Sequence, residues 1–318
     1  MELRNIPCIA IALPCYNEEE VLPLSIPKLT DKLAKLVQEN KVQANSFIVL
    51  IDDGSRDRTW SIIANEAANN QAIKGLKLSR NSGHQAAILS GMMSFYNRVD
   101  CVITLDVDLQ DDIDVIDLMV AQYRAGSEIV YGIRKERKTD SFFKRSTAQF
   151  FYKLIKYMGV EIIYNHSDYR LSSTRAISEL KNYEEKNLFL RGIYPLLGFQ
   201  TSTVEYARLE REAGTTKYPL RKMLSFALDG ITSFSIKPLR LVTTIGVFVF
   251  ISSILLGCWS LYRYAIHATI PGWTSMVLPI YFLGGIQLLA IGILGEYLGK
   301  IYKEVKNRPL YIVEKIVE

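Results

Sequence analysis

The residues able to do chemistry in this chain come in short polar runs, each set directly after an apolar one. Asp106-Val107-Asp108-Leu109-Gln110 follows the apolar Cys101–Leu105. Alternate residues of an extended segment point the same way, so Asp106, Asp108 and Gln110 can face one ligand. Oxygen donors of this kind suit Mg²⁺ or Mn²⁺ bridging a diphosphate; taken alone, the same residues also fit a solvated acidic loop. Asp52-Asp53-Gly54-Ser55 follows Phe47–Ile51, with Asp57 just beyond. A carboxylate there can accept from a nucleobase N–H or from ribose hydroxyls, while Gly54 permits a sharp turn. The same run can equally cap the next helix as an Asx turn. Pro14-Cys15-Tyr16-Asn17-Glu18 offers a ring for stacking and polar groups for a nucleoside, and by itself is no more than a helix start.

The elements that must position these runs are legible. Cys8–Leu13, Phe47–Ile51, Ile73–Leu78, Cys101–Leu105 and Glu128–Tyr131 read as strands, with helical patterns near 18–38, 57–70, 84–97 and 112–125. Strand and helix in alternation predict an α/β, Rossmann-like domain with a mostly parallel sheet covered on both faces. The polar runs, with Arg80–His84 and Gly132–Arg134, then fall at the carboxyl ends of strands, where open α/β sheets bind ligands.

The chain has 318 residues, 49% of them hydrophobic, which excludes disorder. Its 38 Lys and Arg against 33 Asp and Glu give a net charge of +5. The excess lies mainly after Ser235, beside apolar segments, and so does not indicate a nucleic-acid binder. Leu241–Tyr262 and Tyr264–Gly295 contain no Asp, Glu, Lys or Arg. A spanning helix needs about 20 apolar residues, which predicts two transmembrane helices at about 240–262 and 276–298. Lys237 and Arg240 before them, and Lys300, Lys303, Lys306 and Arg308 after, predict cytoplasmic termini in a multi-pass protein of the cell inner membrane. The expected organisation is a cytoplasmic catalytic domain over 1–220, an amphipathic interface helix over 221–238, the two spans within 239–299 and a cytoplasmic tail over 300–318. No secretory signal is expected at the N-terminus, since Cys8–Leu13 is short and followed by acids. Residues 142–158 mix aromatics with Lys and Arg, which suits a helix in the headgroup layer or one packed on its own domain. Asn307–Glu318 alternates enough to form a strand, pairing with a neighbouring chain in a homo-oligomer or with its own domain. Cys8, Cys15, Cys101 and Cys258 show no CxxC spacing and read as reduced thiols.

The runs PCYNEEE, DDGSRD, LSRNSGHQAA, LDVDLQDD, GIR, NHSDYRL, FLRG and REAGTTKY, followed by two apolar spans, cover nearly the whole chain. Their order resembles the family 2 glycosyltransferases of GT-A fold. Within these the chain is similar to the polyprenyl-phosphate glycosyltransferases, which include the dolichol-phosphate mannose synthases and bactoprenol glucosyltransferases. Arg56, Ser82, Asp112 and Ile113 depart from the family pattern and fall on loops. The resemblance implies that Pro14, Tyr16, Asn17, Glu18 and Asp53 contact the nucleoside, and Asp106 and Val107 the ribose and diphosphate. It implies Asp108 and Gln110 as ligands of Mg²⁺ or Mn²⁺. Arg134, Arg145, Ser146, Arg211 and Lys217 would meet phosphate oxygens.

The implied reaction is inverting transfer of a hexose from a nucleotide sugar to a membrane polyprenyl phosphate. Glucose from UDP-glucose and undecaprenyl phosphate are the expected pair, with GDP-mannose and a dolichol-type lipid as the alternative. A processive polysaccharide synthase is a second reading, although Asn187–Gly192 lacks the QxxRW motif; a non-catalytic nucleotide-binding scaffold is a third. A phosphate monoester has a second pKa near 6 and is mostly dianionic at neutral pH, so no general base is required. The catalytic set would be Asp106, Asp108, Asp168, Arg211 and Lys217. Asp168 stands either as a base or as a residue holding sugar hydroxyls or orienting Arg170. His84 and His166 are expected to be structural.

Overall fold

The computed structural model describes residues 3–134, 166–186, 188–207, 237–266 and 272–318. β1 (Ile9–Cys15), β2 (Phe47–Asp52), β3 (Ile73–Leu78) and β4 (Cys101–Thr104) are rich in Ile, Val and Leu. β1, β2 and β4 are buried along their full length, as strands covered on both faces must be. Between them run α1 (Leu22–Gln38), α2 (Thr59–Asn69) and α3 (His84–Phe95), and α4 (Val115–Arg124) follows β4. α1 shows why such segments are helical and where they pack. Its Leu22, Ile26, Leu29, Leu33 and Leu36 recur at three- and four-residue spacing and form one buried stripe. Each such side chain contributes about 1.5–3 kcal/mol by leaving water.

The chain continues through β5 (Ile129–Arg134), β6 (His166–Ser173), α5 (Thr174–Leu180), α6 (Leu190–Leu196) and β7 (Thr201–Tyr206). After α7 (Lys237–Ala265) and α8 (Trp273–Lys306) it ends in β8 (Val313–Val317). The eight strands form one sheet in the order β7-β5-β6-β4-β1-β2-β3-β8. β1 pairs in parallel with β2 and β4, β2 with β3, and β5 with β7. β6 is antiparallel to both β4 and β5, and β8 to β3. The sheet is thus mixed, a GT-A-like α/β arrangement that is mostly parallel, as the strand-helix alternation predicts, except that β6 and β8 run against the other six strands. The inserted β6 matters for the site. Because it runs backwards, its first residues lie at the edge where β4 and β5 end, and its register pairs Thr104 with Arg170.

β8 occupies the β3 edge of the chain's own sheet, so the expected pairing of this segment with a neighbouring chain is replaced by an intramolecular one. The physical reason is that β3 would otherwise present an unpaired edge, and complementary charges flank the two strands. Glu314 pairs with Lys77 and Glu318 with Lys74, each at 3.1 Å, and Glu318 also meets Arg98. With this, the sequence argument for a homo-oligomer lapses.

The chain divides into two compact units, the sheet unit, which includes Arg308–Glu318, and a helical unit that holds α7 and α8. The expected tail is therefore split between the end of α8 and the sheet. α7 has 29 residues and α8 has 34. Among the described residues one stretch, Phe282–Lys306, is long and apolar enough to cross a membrane, where two had been expected. The amphipathic segment expected at 142–158 lies outside the described residues, as do all but the last two residues of the one expected over 221–238, and those two open α7.

Candidate active site

The carboxyl edge of the sheet carries three linked polar clusters. In the first, the loop after β2 is laced to its neighbours. Asp52 closes an Asx turn, its Oδ1 accepting the Ser55 N–H at 3.1 Å. Asp53 reaches the other way and accepts the N–H groups of Ser82 and Gly83 at 2.7 and 3.0 Å. Gly54 sits at φ +66°, and a Cβ there would lie 2.5 Å from the Arg80 carbonyl carbon. Only glycine lets these two backbones touch. From the β1 side, the Asn17 N–H donates to Ser55 Oγ at 2.9 Å, and Asn17 Oδ1 accepts the Arg56 N–H at 2.9 Å. The Glu18 N–H donates to Thr59 Oγ1 at 2.8 Å. The Pro14–Glu18 and Asp52–Ser55 runs are thus one assembly, with the Tyr16 ring 41% exposed beside it and Asp53 buried. Burial is the main cause that raises the Asp53 carboxyl above the usual carboxylate range, the two N–H donors opposing it.

The second cluster joins four elements. Asp106 lies just beyond β4, Asp168 near the start of β6, His84 at the start of α3 and Arg191 in α6. His84 Nε2 is 3.5 Å from Asp106 Oδ1 and 3.7 Å from Asp168 Oδ2. Asp168 Oδ1 accepts from Arg170 Nη2 at 2.8 Å and from Arg191 Nε at 3.2 Å, while Oδ2 accepts from Arg191 Nη2 at 3.0 Å. The fork geometry with Arg191 is the strong, orientation-specific kind. Burial would raise the Asp168 carboxyl, but the adjacent His84 imidazole and the charges of Arg191 and Arg170 outweigh it and hold it well below the usual range. An acid held so firmly ionised is a poor proton acceptor. That favours an arginine-orienting role over a base. Burial pushes the Asp106 carboxyl up, with the His84 charge drawing it partly back. For His84 burial opposes the charged form, but the adjacent Asp168 and Asp106 carboxylates prevail and raise it.

In the third cluster, Arg134 at the end of β5 donates Nη2 to Asp111 Oδ1 at 3.1 Å and Nε to the Tyr206 hydroxyl at 3.1 Å. Tyr206 OH lies 2.7 Å from Ser167 Oγ. Between these clusters the 106–110 run is a turn. β4 stops at Thr104, Leu109 takes φ 46°, and its N–H returns to the Asp106 carbonyl at 3.3 Å. The expected extended geometry, with alternate residues on one side, is therefore corrected, since left-handed Leu109 reverses the chain. Val107 is buried and its carbonyl accepts from Ser25 Oγ at 2.6 Å. The Gln110 N–H donates to Asp108 Oδ1 at 3.3 Å.

Among the described residues no three His, Cys, Asp or Glu side chains gather into a self-contained metal site. Asp108 and Gln110 carry oxygen donors of the kind a hard cation takes. Arg145, Ser146, Arg211 and Lys217 lie outside the described residues. Three residues to which sequence order gives no functional role, His84, Arg191 and Asp111, are central. His84 was expected to be structural for want of a nearby carboxylate, and the carboxylates arrive from β4 and β6. Arg191, in the FLRG run, received no role. Asp111 was passed over in the same way, although its place in LDVDLQDD was a signal.

Residues 10–181 match the family described as Glycosyl transferase family 2. The chain belongs to this family. The matched region runs from Ala10 in β1 to the end of α5 and includes Asp53, His84, Asp106, Asp108 and Asp168, whereas Arg191 and Tyr206 lie beyond it. The chain is 50% identical to the uncharacterized glycosyltransferase YkoT of Bacillus subtilis (strain 168), over 98% of this chain and 92% of that protein. It is 42% identical to the SfII prophage-derived bactoprenol glucosyl transferase of Shigella flexneri, over 96% of this chain and 97% of that one. Identity to the prophage bactoprenol glucosyl transferase homolog of Escherichia coli (strain K12) is 39%, over 97% and 99%. The family and these relatives make the protein a glycosyltransferase.

Proposed function

We propose that this glycosyltransferase moves glucose from UDP-glucose onto undecaprenyl phosphate with inversion at the anomeric carbon. The observation that carries the reading is 42% identity, along 96% of the chain, to a bactoprenol glucosyl transferase. The clusters at the carboxyl edge suit the two halves of such a reaction. Tyr16, with Pro14, Asn17, Glu18 and the buried Asp53, forms the nucleoside side, and Asp106 with Val107 the ribose and diphosphate side. Asp108 and Gln110 would hold Mg²⁺ or Mn²⁺, which supplies positive charge to the leaving diphosphate. Arg134, Arg145, Ser146, Arg211 and Lys217 are assigned to phosphate oxygens.

The bond formed is anomeric carbon to lipid phosphate oxygen, and the bond broken joins that carbon to the donor diphosphate. The acceptor is mostly dianionic at neutral pH, so the protein has no proton to remove. What these residues do is hold acceptor and donor in line and offset the developing charge. Asp168 takes part by holding Arg170 and Arg191.

The reading includes a membrane anchor of two spans in the inner membrane, with the sheet unit and both termini in the cytoplasm. Its support is topological as well as compositional. β1 and β8 belong to one sheet, so chain before and after the helical unit lies on one side of any membrane and the crossings between must be even in number. The flanking Lys and Arg favour the cytoplasmic side.

The test is to incubate the full-length protein with undecaprenyl phosphate, Mg²⁺ and a panel of UDP-glucose, GDP-mannose and UDP-linked amino sugars. Glucosyl-phosphoundecaprenol formed from UDP-glucose is the expected product. Transfer from another donor alone would overturn the sugar assignment. Nucleotide release that ignores the lipid would overturn the acceptor.

A further inference from the structure

Asp106 and Asp168 come from different strands, and both lie close to a single nitrogen. His84 Nε2 stands 3.5 Å from one carboxylate and 3.7 Å from the other. Two carboxylates this close repel unless a donor sits between them. Asp168 has Arg170 and Arg191 besides, but among the described residues no Lys or Arg comes within ion-pair distance of Asp106. His84 is itself held from behind. Gly83 precedes it at φ +94°, and its N–H and that of Ser82 are bound by Asp53. The imidazole is therefore anchored to the end of β2 and directed at the end of β4 and the start of β6.

We propose that His84 is a positioning residue for glycosyl transfer, whose imidazole bridges Asp106 to Asp168 and so registers the donor-side carboxylate against the Arg170–Asp168–Arg191 group. This rests on the glycosyltransferase reading above and assigns a role to a residue that the reading leaves out. The charged groups facing the imidazole are Asp106, Asp168 and, opposing them, Arg191. In Asp53 the bridge has a support that also lies on the nucleoside side, which couples occupation of that side to the geometry of the reacting one.

The test uses the full-length protein carrying His84→Ala or His84→Gln. His84→Ala is expected to lower kcat by about 10- to 100-fold, the size of effect a small misplacement causes, with the donor KM little changed. His84→Gln, whose amide N–H can reach the same carboxylates, should recover a large part of that loss. Unchanged kcat in His84→Ala, or a loss no smaller in His84→Gln, overturns the proposal. A second measurement needs no turnover. The chain has 3 histidines, so the imidazole spectrum of isotope-labelled protein is simple and His84→Gln identifies the signal. Asp106→Asn and Asp168→Asn should each move the His84 titration to lower pH. If neither does, the bridge is absent whatever the activity. If both do while no donor is turned over, the bridge stands and the transferase reading is what fails.

Discussion

Arg170 is 1% exposed, with its guanidinium carbon 4.2 Å from the centre of the Tyr194 ring and its charge met by Asp168. Removing the carboxylate leaves a buried cation unmatched, a loss of about 3–5 kcal/mol. Asp168→Ala should therefore melt roughly 6–20 °C below the native protein, whereas Asp168→Asn, which keeps an acceptor, should lose less. Thermal melts followed by circular dichroism check this, and equal melting of Asp168→Ala and the native protein would remove the positioning role. Asp108 behaves differently, being half-buried and bonded to Gln110 through a long 3.3 Å contact. Asp108→Asn should keep the fold and lose at least about 100-fold in kcat; EDTA should do the same to the native enzyme, reversed by Mn²⁺ or Mg²⁺.

The pH dependence also belongs to single residues. Asp168 is depressed below its ordinary 3.8, so its stabilising contribution is present above that value and lost as the pH falls through the depressed one. His84 is raised above its ordinary 6.5, so its contribution is complete below that pH and lost as the pH rises through the raised one. The gap in melting temperature between native protein and His84→Gln should thus be widest on the mildly acidic side and narrow toward alkaline pH. A gap that widens instead contradicts the assignment.

At the scale of elements, the contact between the loops after β2 and β3 is the most exposed to a single change. Gly54→Ala forces a side chain into a left-handed position, costing about 1–2 kcal/mol, and drives a Cβ to within 2.5 Å of the Arg80 carbonyl carbon. The loops must part, so a raised donor KM is expected along with a lower melting temperature. The strands and helices around these loops were readable because short Ile- and Val-rich runs bounded by turn residues suit covered strands, and α1 repeats its apolar residues at helical spacing. The direction of β6 was not readable. His166–Ser173 is mostly polar, with Tyr169 and Leu171 its two apolar residues, and nothing within it says which way it runs against β4. Nor does the 106–110 run disclose that it turns at Leu109, since leucine seldom adopts φ 46°.

For the whole molecule, the return of the chain to its own sheet has a topological consequence. Cysteines placed at positions 2 and 310 in a background without Cys258 should react with an impermeant maleimide from one face of a vesicle, and a cysteine at 269 from the other. Labelling of 2 and 310 from opposite faces would mean an odd number of crossings and would exclude two spans. Truncation after Asn307 should lower the melting temperature and promote aggregation, because it strips Lys74, Lys77 and Arg98 of carboxylate partners and bares the β3 edge.

The amino-acid sequence by itself determined the class of fold, the sheet edge at which the polar runs gather and the family, because covered strands, helical stripes and strand-end polar runs are properties of local order. Tertiary structure alone decided which of those polar residues meet. His84 and Asp168 are far apart along the chain and carry no mutual signal within it. They become neighbours of Asp106 because α3 is anchored through Asp53 and because β6 runs antiparallel into the middle of the sheet. Strand order and direction are set by the packing of the whole sheet unit, so the pairing of charges at its edge could be read only from the folded chain.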